Sequence, residues 1–159
     1  MHKKVIILDT NLLLLFIVGS VSTDLIKKHK KVDSFDKEDF GQLAKILANA
    51  EEVLFTPNTL TETSNLLAYI GEPSKTLLFE YFAKLIEELK EIVIASRDVA
   101  EDKHFCRLGL TDAVLIRSSE AENTVVLTAD LDLWAAMKDE GRESWNFNHL
   151  REARWSGLF

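Results

Sequence analysis

Four acids in this chain stand where an α/β protein keeps its chemistry. Asp9 ends an apolar run, Val5-Ile6-Ile7-Leu8, that reads as a buried strand. Glu62 falls on the first turns of a helix that follows the strand-like Val53-Leu54-Phe55-Thr56. Asp112 opens a helical segment just after the turn Leu108-Gly109-Leu110-Thr111, and Asp130 follows the strand Thr124-Val125-Val126-Leu127-Thr128. The carboxyl edge of an open parallel sheet is where such proteins bind ligands. Right-handed crossovers bring the connections back to that edge. Each acid has a plainer reading by itself: Asp9, Asp112 and Asp130 suit helix N-termini, and Glu62 suits a solvated first turn. Together they repel, and the arrangement persists only if something neutralises it. Divalent cations do so directly. Asn11 and Thr128 flank Asp9 and Asp130, and are short polar groups suited to orient a carboxylate or a water at the ion. Asp132 reads either as an outer ligand or as an ordinary first-turn helix acid.

The other reactive residue types exclude the main alternatives. Cys106 is the lone cysteine, so no internal disulfide forms and a reducing compartment is expected. His2, His29, His104 and His149 show no zinc-site spacing, which leaves a hard, oxygen-bound metal as the expectation. A formal net charge of -7 argues against a broad basic face for nucleic acid. Local basic groups remain: the cluster Lys27-Lys28-His29-Lys30-Lys31, read either as a solvated helix end or as a phosphate contact, and Arg97, Arg107 and Arg117. The apolar stretch from Val5 to Val18 is interrupted by Asp9-Thr10-Asn11, and its halves are too short to span a bilayer. The chain is therefore expected to be soluble and cytoplasmic.

The elements that must position the acids follow from hydrophobic period and punctuation. Hydrophobic residues make up 47% of the 159 residues, enough for one core, so residues 1–159 read as a single domain. Thr10 or Asn11 caps a first helix that ends near Gly19-Ser20. Helical spacing recurs over Asp36 to Glu52 and Thr59 to Ile70. Ser74 is expected to cap a long amphipathic helix to about Lys90, whose wide stripe of Leu77, Leu78, Tyr81, Phe82, Leu85, Ile86 and Leu89 suits the core, a dimer face or both. Ile92-Val93-Ile94-Ala95 reads as the third strand, and Asp98 as the cap of a helix through Cys106-Arg107. Cys106 is expected half-buried and Trp134 in the core. Helices run from Thr111-Asp112 towards Glu120 and from Leu131 to Lys138, with Gly141 closing the latter. Ser144 to Phe147 reads as an edge strand and Asn148 to Arg154 as a final helical turn or two, while Trp145, Phe147 and Trp155 belong to the core, an edge or a partner face. Strands alternating with helices imply βαβ units and a largely parallel sheet.

Four segments in order, Leu8-Asp9-Thr10-Asn11-Leu12-Leu13, Thr61-Glu62, Gly109-Leu110-Thr111-Asp112-Ala113 and Leu127-Thr128-Ala129-Asp130-Leu131-Asp132-Leu133, resemble the PIN domain family. The likeness extends over nearly the whole chain and is nearest to the short VapC-type toxins of toxin–antitoxin pairs. It implies a three-layer α/β/α sandwich around a mainly parallel sheet. It implies that Asp9, Glu62, Asp112 and Asp130 bind Mg²⁺ or Mn²⁺ and cleave RNA to a 5′-phosphate and a 3′-hydroxyl. Asn11 and Thr128 match accessory polar positions, and Asp132 a less regular one. The implied partners are an RNA substrate, an antitoxin protein and a second copy of the chain. The Phe35-to-Glu52 region suits an antitoxin or dimer surface.

Three other readings compete. A HAD-type phosphatase needs a second aspartate two residues after its nucleophile, where this chain has Asn11. A phosphorylated receiver domain needs a paired acid near the first strand and a lysine after the last, and neither is well placed. A PIN fold can also serve as a silent binding module, or as an RNA-processing nuclease outside any toxin–antitoxin pair.

Overall fold

Val5–Leu8 forms the central strand, β1, and Ile6, Ile7 and Leu8 are almost wholly buried. A computed structural model of the chain describes residues 2–157. β1 pairs in parallel with β2 (Glu52–Phe55) on one side and β4 (Thr124–Thr128) on the other. The register places Ile7 beside both Leu54 and Val126, and Leu8 beside Leu127. β3 (Lys90–Glu91) lies outside β2 and β5 (Ser144–Asn146) outside β4. All four pairings are parallel, in the order β3-β2-β1-β4-β5. Sequence order runs outward from β1 to β3 and then resumes on the far side with β4. The crevice between β1 and β4 is therefore the topological switch point.

Alternation along β1 divides the core. Ile6 and Leu8 face a cluster built on α1 (Thr10–Val21), α3 (Pro57–Leu67) and α4 (Ser74–Glu88), together with α2 (Lys37–Ala48). Ile7 faces the opposite cluster, with Leu115 and Ile116 of α6 (Leu110–Ser118) and Leu133, Ala136 and Met137 of α7 (Leu131–Asp139). The result is a three-layer α/β/α sandwich, as expected. α1 is apolar all round, from Leu12 to Val18, because α2, α3 and α4 surround it. No helix among the described residues is long and apolar enough to cross a membrane.

Several local expectations give way to tertiary contacts. The third strand is Lys90–Glu91, ahead of Ile92–Ala95. Its partner β2 ends at Phe55, whose carbonyl takes the Ile92 N–H at 2.8 Å; beyond that there is no ladder to join, and Val93 is 75% exposed. Asp98 caps no long helix. Ser96–Asp98 makes one 3-10 turn, and only α5 (Phe105–Leu108) is helical before Gly109. Val99 is instead drawn under Ala113 and Val114 of α6. The first helix is capped by Asp9, whose carboxylate takes the Leu12 N–H, so Thr10 is already helical. α3 begins at Pro57, two residues before the expected Thr59, and is capped by Thr56. Ser74 is likewise the first residue of α4 and not its cap; the Glu72 carboxylate takes the Thr76 N–H there. Cys106 is exposed. Trp134 is half-buried, set edge-on to His149 with ring centroids 5.0 Å apart. Phe147 is fully buried, Trp145 packs partly on the core, and Trp155 is 61% exposed.

The last helix, α8 (Phe147–Trp155), is fixed to α2 by ions. Asp39 is fully buried, closes a capping box with Asp36, and receives Arg154 at 2.7 Å and Arg151 at 3.0 Å. Burial pushes the Asp39 carboxyl up, but the hydrogen bonds from Arg151 and Arg154 outweigh it and hold the group below the ordinary aspartate range. A depressed acid contributes stability above its unfolded pKa and loses it as pH falls through the folded one. Asp39→Asn should therefore cost about 3–5 kcal/mol near neutrality, since it strands two partly buried guanidinium groups. Denaturant unfolding at pH 7 and at pH 3 checks this: the gap between variant and parent narrows at the lower pH.

Candidate metal centre

Asp9 lies where β1 runs out into α1, at the mouth of the switch-point crevice. It is 5% exposed. One carboxylate oxygen takes the Leu12 N–H at 3.3 Å, and the other accepts the Thr128 hydroxyl from the end of β4. Thr128 in turn takes the Asp130 N–H on its own oxygen at 2.9 Å. A single hydroxyl thus joins the ends of β1 and β4. Asp130 caps α7, accepting the N–H groups of Asp132 at 2.8 Å and Leu133 at 3.1 Å on one oxygen. Its other oxygen remains for a ligand. Glu62 stands exposed on the second turn of α3, and Asp112 is half-buried in the first turn of α6.

The fields of these side chains reach one another across the crevice. Asp112 is pushed up to about 7, by burial first and then by the negative fields of Asp130, Asp9, Glu62 and Asp132. Asp9 is pushed up to about 6 by burial, against the hydrogen bonds from Thr128 and Leu12 that favour its charged form; Asp130 adds to the rise. Among the described residues none of Asp9, Glu62, Asp112 and Asp130 is in a salt bridge. Arg107 comes to 3.9 Å from Asp132, and both are well exposed. The donors are all hard oxygens with unneutralised charge, a set that fits Mg²⁺ or Mn²⁺ and would gain from either. The cluster is open: the three potential ligand atoms set most tightly together lie elsewhere, at His104, Asp139 and Glu140.

The residues expected at the site divide as follows. Asp9, Glu62, Asp112, Asp130 and Thr128 come together at the carboxyl edge. Asp132 reaches the cluster through its field while remaining 76% exposed in its side chain. Asn11 is exposed on the first turn of α1. Of the expected basic groups, Arg117 is occupied by Asp102 and Glu120, and Lys27 by the Asp33 carbonyl. Arg97 is exposed. One support has no local signature: the Asn148 amide donates to the Ala129 carbonyl at 3.0 Å, bracing the Asp130 turn from α8. Asn146, which caps α8 through the Asn148 N–H, is part of the same brace. Only the asparagine spacing Asn146-Phe147-Asn148 hinted at a cap there.

No protein-family model matches the chain, and no curated protein matches it. Among solved structures it is similar to a domain of a functionally unknown protein from Methanocaldococcus jannaschii DSM 2661, at 22% identity over 90% of each chain, with a TM-score of 0.45.

An acid whose pKa rises on folding costs stability above the folded value, and that cost vanishes below the unfolded one. For Asp112 the window runs from 3.8 up to about 7. Asp112→Asn should then stabilise the metal-free protein at pH 8, on the order of 1–3 kcal/mol for a partly buried charge. Thermal unfolding in a chelator at pH 8 and pH 4 measures this, and the advantage of the variant disappears at pH 4.

Proposed function

We propose that this chain is a divalent-metal-dependent endoribonuclease of the PIN type. The observation that carries the reading is the meeting of Asp9, Glu62, Asp112 and Asp130 at one sheet edge without a cationic partner. In this reading Asp9 and Asp112, the more enclosed pair, hold the ion most directly. Asp130 completes the donor set with the oxygen that α7 does not use. Glu62, exposed to solvent, ligates or orients the attacking water. Thr128 keeps Asp9 aimed into the crevice and is a positioning residue. When bound, Mg²⁺ or Mn²⁺ lowers the pKa of a water and braces the charge that builds on the phosphate during in-line displacement.

The exposed mouth of the cluster suits an extended polymer better than a small enclosed metabolite, since Glu62 and Asp130 lie at the surface. The four motifs in PIN order support RNA as that polymer. They also support the finer reading: the toxin of a type II toxin–antitoxin pair, acting in the cytoplasm and pairing with an antitoxin and with a second copy. Leu77 and Ile86, 48% and 37% exposed on α4, offer apolar contact for such partners.

Cleavage of single-stranded RNA by the purified protein with Mn²⁺ tests the reading. The parent is expected to cleave and to stop on chelation. Asp9→Asn and Asp112→Asn should each lose at least about a hundredfold in rate, the scale of removing a group that holds transition-state charge. Both variants folded by circular dichroism and cutting like the parent would sink the assignment.

A further inference from the structure

The C-terminal end of α7 meets the irregular stretch that precedes α5, one side chain away from the acid cluster: Arg107 lies between His104 and Asp132. His104 is buried there at 9% exposure, and its Nε2 is shut off from solvent without a hydrogen-bond partner. It lies 3.2 Å from Asp139 Oδ2 and 3.3 Å from Glu140 Oε1. The three atoms are all within 4.8 Å of one another. Both oxygens are within ion-pair range of a protonated ring, but neither lies well enough on the ring N–H axis for a good hydrogen bond. A tetrahedral cation needs the reverse: ligands off the axis, separated by about 3.3 Å when each bond is about 2.0–2.1 Å. The two nitrogen–oxygen separations match such edges. A cavity of about 110 Å³ adjoins the group and leaves room for a water as fourth ligand. Its wall carries Lys103, Arg117 and Arg142 as well as Asp102 and Glu120, and those two acids are already paired with Arg117 and Arg142, so the charge for a cation comes from Asp139 and Glu140 alone. The carbonyl end of α7 adds negative potential on the same side.

We infer that His104, Asp139 and Glu140 form a tetrahedral site for a Zn²⁺-class cation, distinct from the acid cluster. One imidazole and two carboxylates are a donor set zinc accepts, whereas Mg²⁺ prefers oxygen alone. The Lys103 ammonium, 2.6 Å from Asp139 Oδ2 and largely exposed, competes for the same carboxylate. Arg107 touches the far ring nitrogen, Nδ1, at a long 3.4 Å; metal on Nε2 places the ring proton on Nδ1, so Arg107 must turn away. The ion would staple residues 92–104, which hold little regular structure, to α7. That fixes the approach to Gly109 and Asp112. The role is structural and does not depend on nuclease activity.

The test uses Co²⁺ as probe, because tetrahedral Co²⁺ absorbs visible light far more strongly than octahedral Co²⁺. The full chain carrying Asp9→Asn and Asp112→Asn, which disables the acid cluster, is titrated with Co²⁺. A single equivalent is expected to bind with an intense visible band that Zn²⁺ displaces. Adding His104→Gln or Glu140→Gln should abolish the band, and Lys103→Met should tighten binding by removing the competing ammonium. No intense band, or a band that survives His104→Gln in a folded protein, overturns the site. Should His104→Gln fail to fold, the partly exposed Glu140→Gln decides by the same criterion. RNA cleavage by the parent is a separate readout, so loss of one proposal leaves the other standing.

Discussion

Asp9 is a buried carboxylate held by a hydroxyl and a backbone N–H and by no cation. Much of the carboxyl edge follows from that. Parallel pairing of β1 with β4 ends both strands at one level, so Thr128 can reach Asp9 across the switch point. The same hydroxyl takes the Asp130 N–H, which sets where α7 begins. Asp9 also caps α1, the most buried helix of the chain. One side chain therefore fixes the start of a helix, the spacing of two strand ends and the most enclosed charge of the cluster. Removing its charge and removing its hydrogen bonds are different perturbations, and an asparagine keeps much of the second while losing the first.

The surroundings oppose the charge they assemble. Asp112 feels four other acids, and no described basic residue pairs with any of the four principal carboxylates. Elsewhere the chain pairs its buried acid carefully: Asp39, fully enclosed, has two arginines. The contrast within one molecule separates a carboxylate used to hold helices together from carboxylates kept available. Stability forgone at one site and kept at another is the pattern that the proposed metal chemistry would require.

The main outlines were legible in the sequence because they rest on local signals. Val5–Leu8 and Thr124–Thr128 are short β-branched runs with clear stops, and both strands form where expected. The acids were legible because each follows a strand or opens a helix, and topology carries the rest. What was illegible depended on distant partners. Ile92–Ala95 has strand composition, but β2 is too short to pair with it. The helix expected from Asp98 is interrupted because Val99 has a buried place under α6. His104 and Asp139 are far apart in sequence, so no spacing could announce their meeting.

Both margins of the sheet are very short, two residues at β3 and three at β5. The β3 margin is a charged pair, Lys90 and Glu91, both exposed, with Lys90 held to Glu52 across the strands at 2.8 Å. Beyond it the apolar Ile92–Ala95 leaves the plane of the sheet, so its strand-forming composition is never presented as a flat template. A foreign strand docking here would find few free backbone groups and a pair of charges to desolvate. Self-association by extending the sheet, the route to fibrous aggregates, is closed off by this geometry.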